Sequence, residues 1–256
     1  MYYVHAEPSY LPLNPMKTKA HSLKSRAFSL VELLVVIAVI AIVAGYAVPA
    51  VTSMLKGSQL TQGSQMVVDQ IALARQTALS RNRSVEVRFY KYADPETPGE
   101  DQKKSDTWLM HGIQVFEILD NGAALPLGAV QRLPTNVIIH QGKLSSLIDG
   151  RTTSADKFTK PTDSDPGIPG MDAGVNVKEQ YVYAGFRFLP DGSTDLPPTG
   201  TVTQPTGDSW YITLVNPKDA GATALGVKAG EAANYFTLQI DPVTGSTRSY
   251  RPNVGG

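Results

Sequence analysis

Glu32 is the residue whose placement most needs a chemical reason. It interrupts an apolar stretch just after its start, and residues 33–55 (LLVVIAVIAIVAGYAVPAVTSML) then run without a charge. An unpaired carboxylate near hydrocarbon costs about 2.5–3.5 kcal/mol on insertion scales, so such a group is expected to have a partner and a task. Other groups able to do chemistry are sparse. Beyond residue 27 only His111 and His140 remain, each inside an apolar strand-like run where a structural role is the expectation. Asp163, Asp165 and Asp172 put oxygen ligands in a Gly-rich stretch, TDSDPGIPGMD, but their spacing is not that of an EF-hand and reads as a solvated acidic loop without a metal. No G-x-S-x-G elbow, H-E-x-x-H, phosphate-binding G-x-x-x-x-G-K-[ST] or convincing G-x-G-x-x-G is present, so neither a catalytic site nor a cofactor is expected. Arg81, Arg83 and Arg88, with Arg248 and Arg251 near the C-terminus, are the cations that phosphate contacts would need.

The composition bounds what carries these residues. A chain of 256 residues and 27.5 kDa has room for a globular domain with an appendage, or for two small domains. Charged residues make up 18%, below the usual ~25%, and 22 Gly with 18 Pro point to a loop-rich body containing β structure. With 23 basic and 23 acidic residues the formal charge is zero, so any basic patch must be local. The absence of cysteine excludes disulfides, thiol nucleophiles and cysteine-held metals.

Residues 28–49, as an α-helix, would extend about 33 Å at about 1.5 Å per residue, which matches a hydrocarbon core of about 30 Å. Lys17, Lys19, Lys24 and Arg26 precede them without an acid among residues 16–27, so the positive-inside rule predicts a cytoplasmic N-terminus and an exported body. A secretory signal peptide is the competing reading. The apolar run is too long for one, its small-residue end continues into a helical pattern, and Glu32 interrupts it near its start. After residue 50 the helix turns amphipathic, with Leu60, Val67, Ile71, Ala74 and Ala78 near one face, and residues 28–80 would make about 80 Å of nearly continuous helix. Gly45 and Pro49 predict a kink or loosening between them, and Gly57 and Gly63 allow a further bend. Strands are expected at 84–92, 107–119, 135–140, 181–189, 209–215 and 235–241, with turns at PDG (190–192) and PVTG (242–245). In the first of them Val85, Val87 and Phe89 alternate with Glu86, Arg88 and Tyr90, as in a half-buried strand. Residues 141–180 form a long polar loop, read as functional or locally disordered, and residues 216–233 a smaller insertion.

Residues 26–50, RAFSLVELLVVIAVIAIVAGYAVPA, resemble the class III signal of type IV prepilins and type II secretion pseudopilins. In that family a basic leader ends in a small residue before a Phe, with Glu at the fifth mature position and often Pro at the twenty-second. Phe28, Glu32 and Pro49 fall on those positions, and Ala27 stands where Gly is usual. The resemblance implies an α+β, type IV pilin-like fold: a leader at 1–27, with Met16 as the expected start, a transmembrane and assembly helix at 28–50, an amphipathic helix at 51–82, and a β-rich domain at 83–256 whose mainly antiparallel sheet packs on the helix. It further implies cleavage by prepilin peptidase, N-methylation of Phe28, and pairing of Glu32 with the Phe28 amine of a neighbour. Implied partners are the lipid bilayer of the bacterial inner membrane, other pilin-like subunits and an inner-membrane assembly platform, with the C-terminal domain periplasmic. The stretches QIALARQTALSRNRSVEVRFY, FRFLPDGST and FTLQIDPVTGSTRSY resemble GspH/FimT-type minor pseudopilins, and the two long insertions also resemble the cassette protein D group. The function so implied is a minor pseudopilin of a secretion or pilus-like filament. The alternative is a FimT-like minor pilin that binds DNA during uptake through Arg81, Arg83, Arg88, Arg248 and Arg251. Without residues 1–27 the chain keeps 19 basic and 22 acidic residues, a formal charge of −3, which favours the first reading.

The first testable expectation concerns processing. Intact mass and N-terminal sequencing of membrane-extracted protein should show a chain that begins at Phe28 with one added methyl group. Ala27→Gly should raise the processed fraction, and Ala27→Leu should abolish processing by crowding a small protease subsite.

Overall fold

The computed structural model describes residues 29–94, 100–101, 104–105, 107–142, 144–149, 158–162, 165, 167–168, 180–197, 210–217 and 234–251, without the side chains of 46–53. The chain divides into two compact units, Met1–Val48 and Pro49–Gly256. Helix α1, Leu30–Arg81, contributes to both, and its helical backbone runs through Gly45 and Pro49 without a break. Pro49 has no N–H to give the carbonyl four residues back, and that carbonyl belongs to Gly45. Among the described residues no helix is long and apolar enough to cross a membrane. The expected membrane helix, residues 28–50, falls partly outside them, at residue 28 and at the side chains of 46–50.

In the second unit the amphipathic pattern resolves as drawn. Leu60, Val67, Ile71, Ala74 and Ala78 are at most 2% exposed and form one cluster with apolar residues of the sheet. Gly63 lets the helix approach closely, since a Cβ there would lie 3.0 Å from Val137 and 3.2 Å from Pro134. The helix ends at Arg81 because Asn82 takes a left-handed conformation (φ 52°) and the Arg83 N–H donates to the Ala78 carbonyl, closing the last turn.

All described strand pairings are antiparallel. The strands are β1 (Val85–Tyr92), β2 (Leu109–Ile118), β3 (Ala124–Pro126), β4 (Gln131–Arg132), β5 (Ile138–Ile139), β6 (Val182–Phe188), β7 (Trp210–Val215), β8 (Tyr235–Ile240) and β9 (Thr247–Tyr250). They form one sheet in the order β6-β1-β2-β5-β7-β8-β9, with β3 and β4 also paired to β2. Each of the six expected strands has its counterpart, and β3, β4 and β9 are additions. Helix α2, Ser146–Asp149, is a further addition inside the expected long loop, and it has a sheet-like task. The hydroxyls of Ser145 and Ser146 accept the N–H groups of Thr213 and Tyr211, at 3.0 and 2.8 Å, along the stretch of β7 that short β5 leaves uncovered. Part of the same loop lies against β6, where Thr159 and Tyr183 exchange backbone hydrogen bonds.

One strand departs from its expected environment. All eight residues of β1 are buried, so it is not half-buried. Val85, Val87 and Phe89 face α1, while Glu86, Arg88 and Tyr90 lie on the opposite face with Phe116, Tyr183 and Tyr181, covered there by residues such as Ile168. A register shift between Tyr90 and Lys91 leaves His111 as the extra residue of a bulge in β2.

The two ends of the sheet meet at their turns. Thr194, after β6, donates its N–H and its hydroxyl to the Pro242 carbonyl, between β8 and β9. Gly192 (φ +85°) and Gly245 (φ +65°) touch there, beside Leu79 of α1, and a Cβ on Gly245 would sit 2.1 Å from the Gly192 carbonyl oxygen. Gly245→Ala must therefore part the two turns as well as adopt an unfavourable φ. It should destabilise the Pro49–Gly256 unit by about 1–3 kcal/mol, read from denaturant unfolding followed by the fluorescence of Trp108 and Trp210, both buried. Gly128→Ala, with open space around it, is the matched control and should shift stability by less than about 0.5 kcal/mol.

Candidate functional site

The start of α1 is built by Ser29. Its hydroxyl accepts the Glu32 N–H at 3.1 Å and its carbonyl accepts the Leu33 N–H at 3.1 Å, so Ser29 is the N-cap and Glu32 the third helical residue. The S-x-x-E spacing of a capping box is legible in the sequence, and the carboxylate also favours the positive end of the helix dipole. Leu30, Val31, Leu33 through Ile37, Val39, Ile40, Ile42 and Val43 surround the axis with exposures between 47% and 79%. A helix that is apolar on every side requires burial by something else. Glu32 is exposed and has no ion or hydrogen-bond partner for its carboxylate among the described residues. Once that apolar surface is covered, the carboxylate can hold one cation tightly, because the same burial that strengthens the pair makes an unpaired charge costly. Ala27 and Phe28 lie outside the described residues, as does the side chain of Pro49.

The five arginines do not form one cluster. Arg81 and Arg83 meet at the end of α1, where Arg81 pairs with Glu117, and Arg83 lies 3.8 Å from Glu117 and 2.9 Å from Asp120. Arg248 is exposed on β9, and Arg251 donates to the Thr61 hydroxyl at 2.9 Å. Arg88 is only 5% exposed. Its Nη1 donates to Asp165 at 2.6 Å and its Nη2 to Glu86 at 3.1 Å, while the guanidinium carbon lies 4.3 Å from the Phe116 ring centre and 4.5 Å from that of Tyr183. Burial works against its charge, but the two carboxylates outweigh burial and raise its pKa. Arg88 is a buried structural cation and offers nothing to a phosphate in solvent.

Asp165 is correspondingly not a solvated acid. One oxygen accepts from Arg88 and the other from the Thr162 N–H and hydroxyl, at 2.7 and 2.8 Å. Burial pushes its pKa up, yet these hydrogen bonds prevail and hold the carboxyl below the ordinary range. Asp163 and Asp172 lie outside the described residues, among which no group of three His, Asp or Glu side chains is placed to hold a metal. His111 Nε2 lies 2.8 Å from Glu100 in a buried pair, and the Tyr92 ring packs 5.5 Å from the imidazole. His140 is buried, its Nδ1 accepts the Gly142 N–H, and burial lowers its pKa. The Arg88 partners Glu86 and Asp165 escaped sequence reasoning. Asp165 is 77 residues away, and the alternation of β1 reads as a solvent face.

A family model described as the prokaryotic N-terminal methylation motif matches residues 22–48. The chain thus carries the prepilin-type signal, which marks type IV pilin-like and pseudopilin chains as substrates of prepilin peptidase that assemble with other pilin-like subunits. No curated protein and no solved structure matches the chain significantly.

Arg88→Met leaves Glu86 and Asp165 as buried acids without their cation. It should destabilise the Pro49–Gly256 unit by about 3–5 kcal/mol, measured by the same tryptophan-detected unfolding.

Proposed function

We propose that the chain is a structural subunit of a pilin-like filament, specifically a minor pseudopilin or minor pilin. It is inserted in the inner membrane with the sheet domain outside the cytoplasm, cleaved between Ala27 and Phe28 by prepilin peptidase, methylated on the new amine, and assembled through its N-terminal helix. The observation that carries this reading is an apolar helix within the methylation motif, exposed all round and carrying one unpartnered carboxylate. Each fully buried Leu, Ile or Val contributes about 1.5–3 kcal/mol, so this helix is covered by lipid before assembly and by neighbouring helices after it. Glu32 fixes the register between subunits, because it is the only acid within the motif residues 22–48 and needs a specific cation, the Phe28 amine of a neighbour. The minor rather than major assignment rests on the GspH/FimT-like stretches of the body. The scattering of Arg81, Arg83, Arg88, Arg248 and Arg251, with Arg88 buried, weighs against a single phosphate-binding surface built from them.

Glu32→Val separates this subunit from a plain membrane anchor. The substitution should leave cleavage at Phe28 and membrane insertion unchanged while reducing cross-linking to neighbouring pilin-like subunits, since it strands a buried ammonium at a cost of about 3–5 kcal/mol. A tip subunit without a neighbour ahead of it would show a smaller loss. Wild-type cross-linking by the variant would remove Glu32 from assembly.

A further inference from the structure

The sheet has two ends, and they are finished differently. At β6 the outer edge is occupied by Thr159, which pairs with Tyr183, and by Thr194 and Asp195, which bond back to Phe188 and Arg187. At the other end β9 pairs with β8 alone. The Asp241 N–H donates to the Ser246 carbonyl and so sets the alternation of the hairpin. Gln239 with Arg248 and Thr237 with Tyr250 then occupy the hydrogen-bonded positions, and the N–H and C=O groups of Thr247 and Ser249 point away from β8. Among the described residues nothing accepts or donates to them.

The two faces beside this edge have different chemistry. On the helix side an open groove of about 470 Å³ runs between β9 and α1, lined on the helix by Ala72 and Leu79 with the polar Arg75 and Gln76 and by Ile71 at its floor, and on the hairpin by residues 245–247. On the opposite face Arg248 stands beside Tyr250, whose hydroxyl donates to Gln239. Arg75 at the groove, Arg248 and Arg251 have no carboxylate within ion-pair distance among the described residues; the nearby Asp241 is held below the ordinary carboxylate range mainly by the Thr244 N–H and only slightly by Arg248.

We propose that the free edge of β9 takes an extended segment of a partner protein as an added antiparallel strand, and that this segment alternates acidic and apolar residues. Main-chain hydrogen bonds from Thr247 and Ser249 supply the pairing, and alternate side chains supply the selection. One set of side chains enters the groove against the exposed Ala72 and Leu79, and the other lies beside Arg248. The surface belongs wholly to the Pro49–Gly256 unit, so it stands apart from the assembly role given to the N-terminal helix.

The test uses the purified full-length chain in detergent micelles and a fluorescein-labelled peptide of alternating glutamate and valine, read by anisotropy. Saturable binding is expected, weakened about tenfold or more by Ser249→Pro and by Arg248→Glu. Proline at 249 removes an outward N–H and leaves the bonds to β8 intact, so the unfolding midpoint should hold. A peptide of the same sequence with alternate amides N-methylated should not bind to the wild-type chain, which tests main-chain pairing without altering the protein. No saturable binding, equal affinity for a block peptide of the same composition, or undiminished binding by Ser249→Pro would overturn the proposal. So would self-association lost in Ser249→Pro, which would make a second copy the occupant, or DNA binding that responds to Arg248→Glu but not to Ser249→Pro.

Discussion

The guanidinium of Arg88 holds the second face of the sheet in place. Its hydrogen-bonding fork joins Glu86 on its own strand to Asp165 in a distant loop, and its flat faces lie against Phe116 and Tyr183. Without that ion cluster the tyrosines at 90, 181 and 183 would form an aromatic patch with no reason to be covered by a polar segment. A buried ion pair is a weak source of net stability, because desolvation consumes most of the attraction, but losing one partner is expensive. Arg88 therefore contributes most by deciding which segment docks there. Asp165 meets one arm of the fork while Thr162 takes its second oxygen, and the Nε of Arg88 is buried without a hydrogen-bond partner among the described residues.

The opposite face follows a simpler rule. Apolar residues of α1 at helical spacing meet apolar residues of β1, β2 and β6 at alternate positions, and the register keeps Val87 opposite both Val115 and Phe186. A one-residue slip would send the apolar set to the face where Arg88 sits. The two faces thus guard the same register by different physics, one through dispersion and burial and the other through charge.

What could be read in advance divides along that line. The stripe from Leu60 to Ala78, the strands β1, β2, β5, β6, β7 and β8, the glycine turns and the methylation motif all rest on local periodicity or short spacing, which the chain displays openly. The burial of β1 on both sides could not be seen, because Glu86-Arg88-Tyr90 spells a solvent face unless the partner 77 residues downstream is known. Strands β3 and β4, of three and two residues, are too short to show alternation, and the strand-like role of Ser145 and Ser146 depends on where β7 passes. Strand order was equally hidden, since it is settled by contacts that have no local signature. The capping serine was legible, and Ser29-x-x-Glu32 shows one residue serving two ends: its N–H completes the helix cap while its side chain remains available to another molecule.

The clasp between Gly192 and Gly245 also has a consequence in time. It joins residues about fifty apart in sequence, and one half of it belongs to the β8–β9 hairpin. Contacts of long sequence separation form only after loop closure has been opposed by chain entropy, so they come late in folding. During synthesis from the N-terminal side, β1, β2 and β6 emerge well before β8 and β9. Until then the end of the sheet beside Leu79 stays open, and the unit passes through a stage in which its strands are made but its seam is unsewn.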